Sequence, residues 1–173
     1  MQILIHRNIE TVNRVVAIVS ILLGMLGTFG YLYLIYNYMY GSSLFYYMMP
    51  VSVAVPSLLL NILLMVSGFA LFFKKLYFFK LYLTYCLSSL MAYMTNLLFV
   101  YFNFDAPIFD NGESISFLPE LIIGAILFYF ITNKRIRNHF NYNFSKKMWS
   151  SICLASLGIT VIPYLIFMKS FWW

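Results

Sequence analysis

Two histidines, two cysteines and five acids are the side chains of this 173-residue chain that could carry acid–base, nucleophilic or metal chemistry. Their spacing assembles none of it. His6 and His139 each lie at the margin of a basic cluster and read as surface residues rather than as a general base or a metal ligand. Cys86 and Cys153 sit inside apolar runs with no CxxC or other ligand spacing, so they read as small buried hydrophobes rather than a disulfide or metal site. Asp105, Asp110 and Glu113 form the only local carboxylate cluster. A calcium loop needs denser oxygen ligands at regular spacing. A glycosidase-type acid pair needs two carboxylates flanking one bond, which a single short loop does not supply. A solvated loop is the simpler reading. No P-loop, GxSxG, HExxH or dinucleotide fingerprint occurs. The expectation is therefore no catalytic residue, no cofactor and no metal.

The elements around these residues are apolar and sorted by charge. The chain is 63% hydrophobic and 9% charged, with a mean hydropathy of +0.86. A small soluble domain has too little interior to hide that much apolar surface. Ten of the eleven basic residues fall in three clusters: Arg7 and Arg14; Lys74, Lys75 and Lys80; and Lys134, Arg135, Arg137, Lys146 and Lys147. Four of the five acids (Asp105, Asp110, Glu113, Glu120) lie between the second and third clusters. The net charge of +6 would raise nucleic acid as a partner in a soluble chain. Here the charges flank apolar runs instead of forming a continuous basic face, so they read as topology signals and anionic-lipid contacts, with no nucleic acid.

From Val15 to Phe73 there is no charged residue and no histidine. As one helix this run would be about 88 Å long, against a bilayer core of about 30 Å, so it folds back. Gly41-Ser42-Ser43, Pro50 and Pro56 mark the break. The fold class expected is an all-α, polytopic helical bundle forming one integral membrane domain. Its five spans fall at about residues 13–38, 51–73, 81–102, 118–133 and 148–168. Pro119 and Glu120 suit the first turn of the fourth. Asp110-Asn111-Gly112 signals a turn in the acidic loop before it.

The positive-inside rule puts the N-terminus, the 74–80 turn and the 134–147 segment on the cytoplasmic side. The 39–49 loop, the acidic 103–117 loop and the C-terminus face the other way, with Lys169 the one dissenting charge. Residues 1–30 resemble a signal peptide in their basic start, but the apolar run is too long and no A-x-A-like site follows, so a retained anchor is expected. Tyr36, Tyr38, Tyr40, Tyr46 and Tyr47, and Phe171-Trp172-Trp173, sit where spans should leave the lipid.

Small and polar residues mark helix contact faces, because lipid gives apolar helices no hydrophobic reason to associate. Ser20, Gly24 and Thr28 form one such stripe; Ala54, Ser57, Asn61 and Gly68 a second; Thr84, Ser88, Ala92 and Asn96 a third. Asn61 and Asn96 lie about 20 and 24 Å along their helices from the shared turn. They are expected to bond across the hairpin, or Asn96 to bond Ser57. Ser57, Asn61, Ser88 and Asn96 are then either interhelical glue or the lining of a polar path. The recurrence of Ile136, Phe140 and Phe144 among Lys134, Arg135, Arg137, Lys146 and Lys147 describes a short amphipathic helix facing anionic headgroups, or a plain basic loop.

The stretch from Ile122 to Phe140 carries Tyr129-Phe130, Lys134-Arg135, Arg137 and Phe140 at the end of an apolar helix. It resembles the end of the YdgK-like family of small bacterial inner-membrane proteins, a domain of unknown function. Phe128, Asn133 and Ile126 stand where that family's motif has proline, serine and tryptophan. The likeness would cover about residues 13–140, and it implies an inner-membrane bundle with no activity to transfer.

No carboxylate, histidine or lysine is expected near a bilayer centre, which is where proton-coupled proteins carry one. The favoured reading is therefore a non-enzymatic accessory or assembly protein of a bacterial inner membrane, with lipids and another membrane protein or a second copy as partners. A small oligomeric transporter or channel is the alternative. A small respiratory subunit of an organellar inner membrane is a third, resting on composition alone.

Overall fold

The computed structural model describes residues 2–40, 51–103 and 118–168, and among these the chain is all-helical. Six helices follow in order: α1 (Gln2–Tyr40), α2 (Val51–Phe72), α3 (Phe78–Asn103), α4 (Leu118–Thr132), α5 (Lys134–His139) and α6 (Lys146–Met168). The break at 41–50, the acidic 104–117 loop with its Asp110-Asn111-Gly112 turn, and the aromatic C-terminus at 169–173 lie outside the described residues. Asn8–Asn37 within α1 and Ala54–Phe72 within α2 are long and apolar enough to cross a membrane, and Leu118–Thr132 is apolar but shorter. α3 carries Lys80, Thr84, Ser88, Ser89, Thr95 and Asn96 along its length, which dilutes its apolar character.

The helices α2, α3, α4 and α6 begin and end within three residues of the apolar elements expected there. α1 does not: it starts at Gln2 rather than near residue 13. Charge at Arg7 and Arg14 sets where an apolar run ends, but it does not stop a helix. No proline or cap interrupts residues 2–12, so the helix continues through them. Pro56 also lies inside a helix rather than in a break.

Two turns at one end reverse the chain. After α2, Lys75 N donates to Ala70 O at 2.8 Å and Lys74 N to Leu71 O at 2.9 Å, with Lys74 left-handed at φ 53°. After α5, Tyr142 N donates to Arg137 O at 3.0 Å and Asn141 N to Asn138 O at 3.2 Å, with Asn141 at φ 50°. Both are Schellman closures, which satisfy helix-end carbonyls through a left-handed residue. Asn133 separates α4 from α5 and caps α5 by accepting from Arg135 N at 2.9 Å.

α3 is the central element, packed against α2, α4 and α6, while α1 lies along α2. Close approach of α1 and α2 depends on glycine. A Cβ at Gly24 would meet Met65 N at 2.6 Å and Asn61 O at 2.7 Å. One at Gly68 would meet Ala17 O at 2.8 Å. Tyr82 ties α3 to α1 by donating to Ser20 Oγ at 2.9 Å, and Ser156 ties α6 to α3 by donating to Thr84 O at 3.3 Å.

The three basic clusters gather at one end of the bundle. Lys74 Nζ pairs with Glu10 Oε1 at 2.6 Å, joining the N-terminal part of α1 to the turn after α2. The segment after α5 folds onto the base of α3. Phe79 stacks on Tyr142 at 4.2 Å and 7°, and Phe140 meets Phe78 edge-on at 5.0 Å. Burial in this stack pushes the Tyr142 phenol above its ordinary pKa, and the phenol reaches Met148 Sδ at 2.8 Å. This corrects the amphipathic-helix expectation for 134–147. The helix is only Lys134–His139, and its apolar partners Phe140 and Phe144 pack against the protein instead of outward.

Candidate functional site

Glu120 is the acid that the fold treats differently. It sits in the first turn of α4, just after Pro119, and it is buried at 6% exposure. Tyr31 of α1 donates to its Oε1 at 3.2 Å, and Tyr85 of α3 donates to its backbone carbonyl at 3.4 Å. Asn61 of α2 lies within interaction range of the same carboxyl, and Ser57, one turn away, lies against the Tyr31 hydroxyl. Residues from three helices thus surround one acid of a fourth.

The site is short of partners. Among the described residues, Glu120 Oε2 and Ser57 Oγ are buried with no partner in hydrogen-bond geometry. No basic side chain among the described residues pairs with Glu120; Lys74, Lys80, Lys134 and Arg135 lie toward the other end of the bundle. A buried carboxyl is costly unless it is paired or holds a proton. A hydroxyl, an amide and two phenols beside an orphaned carboxyl oxygen make a place where a proton can be held and passed. No group of three or more His, Cys, Asp or Glu able to hold a metal occurs among the described residues.

Depth follows from helix length. Glu120 is twelve residues from Thr132, or about 18 Å at the usual rise. Asn61 is thirteen residues from Lys74, about 20 Å from the same end. The two estimates agree, and they put the two side chains at one height above the basic end of the bundle.

The four polar residues singled out from sequence are all buried: Ser57 and Ser88 at 0%, Asn61 at 8% and Asn96 at 1%. Ser57 and Asn61 stand together at the carboxyl. The Asn61 amide donates to Ser57 O at 2.8 Å, within its own helix, and its side chain fills the space over Gly27 of α1. Ser88 Oγ has no partner, and Asn96 is engaged by a partner within the structure. Lys134, Arg135, Lys146 and Lys147 are exposed at the basic end, whereas Arg137 is half-buried over the Phe144 ring at 5.4 Å. Cys86 donates its thiol to Gly124 O at 3.1 Å between α3 and α4. Cys153, expected buried, is exposed on α6. His139 packs edge-on against Phe140 at 5.0 Å.

The surface has the opposite character to this interior. Leu26 and Leu154 are 70% exposed and Tyr129 75%, while Ser20, Ser67, Ser89, Ser156 and Thr160 are buried. No family model matches the chain, and neither a curated protein nor a solved structure matches it.

Proposed function

We propose that this chain is an integral membrane protein with five spans (α1–α4 and α6) and its basic end in the cytoplasm of a bacterium. We further propose that it passes protons through Glu120. Polar residues inside and large apolar residues outside support the membrane reading, since a soluble domain is sorted the other way. The clustering of three basic segments at one end supports the orientation. The inner-membrane location rests on that pattern and on the YdgK-like resemblance.

The single observation behind the proton role is the buried Glu120 carboxyl, with an orphaned oxygen and no cation beside it among the described residues. An ionisable group inside a membrane protein is a functional site by default. A buried acid of this kind supports a transporter or channel over a purely accessory protein. Ser57 and Asn61 belong to the path. Ser88 and Asn96 line its continuation along α3.

Reconstitution into liposomes with an internal pH dye tests this. An imposed pH gradient should collapse faster with the wild-type chain than with Glu120→Gln, and Glu120→Asp should be intermediate. Equal flux in wild type and Glu120→Gln would sink the proton role while leaving the membrane topology intact. A second reading, an accessory subunit, is favoured by the outward face of α1, only 17% of whose apolar window is buried. Stoichiometric co-purification of another membrane protein, with no flux, would favour it. A respiratory subunit would be recognised by such a partner carrying redox centres.

A further inference from the structure

A cavity of about 290 Å³ opens at the basic end, between α1, the end of α2 and the segment after α5. Glu10, Asn13 and Arg14 line it from α1, and Lys74 from the turn; Leu71, Phe72 and Phe140 form its apolar wall. Asn13 is 7% exposed, and its Oδ1 has no hydrogen-bond donor among the described residues. Two cations and one acid leave the cavity one positive charge in excess. Lys74 and Glu10 are already paired at 2.6 Å, so the excess charge falls to Arg14.

We infer that this cavity binds the headgroup of a glycerol phosphodiester lipid. The phosphodiester carries one negative charge, which matches the excess. Its oxygens are acceptors for the Arg14 guanidinium and for the Lys74 ammonium protons not used by Glu10. Its glycerol hydroxyl is the donor that Asn13 Oδ1 lacks. Leu71, Phe72 and Phe140 receive the start of the acyl chains. The cavity lies at the level of the basic clusters, where headgroups sit in the topology proposed above. The inference rests on that topology but not on the proton role of Glu120. An ethanolamine headgroup also carries a donor, but its net charge of zero does not match the excess.

Full-length protein in neutral detergent, titrated with lipids of matched acyl chains and read by native mass spectrometry, tests this. Phosphatidylglycerol should be retained over phosphatidylethanolamine and phosphatidylcholine. Arg14→Gln should weaken its retention about fivefold, the effect of one basic residue at a charged surface. Asn13→Leu should erase the preference for phosphatidylglycerol over phosphatidic acid, which lacks the glycerol hydroxyl. The doubly substituted Lys134→Gln, Arg135→Gln protein should lose less phosphatidylglycerol than Arg14→Gln does and should keep the preference over phosphatidic acid. Equal retention of phosphatidylglycerol and phosphatidylcholine, or equal losses in Arg14→Gln and the 134/135 variant, would overturn the site. Displacement by soluble glycerol phosphate at similar concentration would show a free-phosphate site in place of a lipid one. Circular dichroism of each variant separates lost binding from lost fold. If Asn13→Leu fails to fold, Arg14→Gln carries the test alone.

Discussion

At the scale of single residues, space and hydrogen bonding decide more than residue type. Gly24 and Gly30 occupy the same helix, but only Gly24 touches a neighbour. A Cβ at Gly24 would meet backbone atoms of α2 at 2.6 and 2.7 Å, while one at Gly30 would meet nothing within 4 Å. Gly24→Ala should therefore destabilise by about 1–3 kcal/mol, the usual cost of overpacking. Gly30→Ala should be neutral or stabilise by up to about 1 kcal/mol, through the helix preference of alanine. Unfolding in mixed dodecyl sulfate micelles reads both, and equal midpoints for the two variants would contradict this contrast. The Gly24 stripe was legible in the sequence from its four-residue spacing with Ser20 and Thr28. Glu120 was not. An acid next to a proline satisfies the rules for a helix start equally well in water and in a protein interior, so its local sequence carries no sign of depth.

At the scale of elements, the segment after α5 shows how rings can anchor a chain that has little regular structure. Phe79 is fully buried and meets Tyr142 face-on, with Phe140 and Phe144 edge-on at 5.8 and 6.4 Å. Truncation of such a residue costs about 3–5 kcal/mol. Phe79→Ala should speed amide hydrogen exchange across residues 134–145 while leaving α1 and α2 protected. Unchanged exchange in that segment would show that the ring stack does not hold it. The every-fourth-residue pattern of Ile136, Phe140 and Phe144 picks out residues that pack inward, although only Ile136 lies within the helix. Periodicity reports that a face is apolar, and the Asn141 turn is what aims that face back at α3.

At the scale of the whole molecule, the proposed topology gives a labelling prediction. In a background with Cys86→Ser and Cys153→Ser, a cysteine at Ser145 should react with a charged maleimide only from the cytoplasmic face. A cysteine at Asn111 should react only from the opposite face. Labelling at Ser145 from outside would reverse the orientation. Ser is the suitable replacement at Cys86, since its hydroxyl keeps the bond to Gly124 O. Composition alone determined that this chain is helical and apolar, because runs of such length and hydropathy have few other ways to satisfy their backbone. Its charge clusters also determined which segments share an end, an expectation that the Glu10–Lys74 pair and the ring stack on Phe79 meet. Only the tertiary structure decided where the acid goes. Burial belongs to four helices at once: Tyr31, Asn61 and Tyr85 reach Glu120 on α4 from segments 35 to 89 residues away in sequence, and no local pattern around Glu120 records that approach.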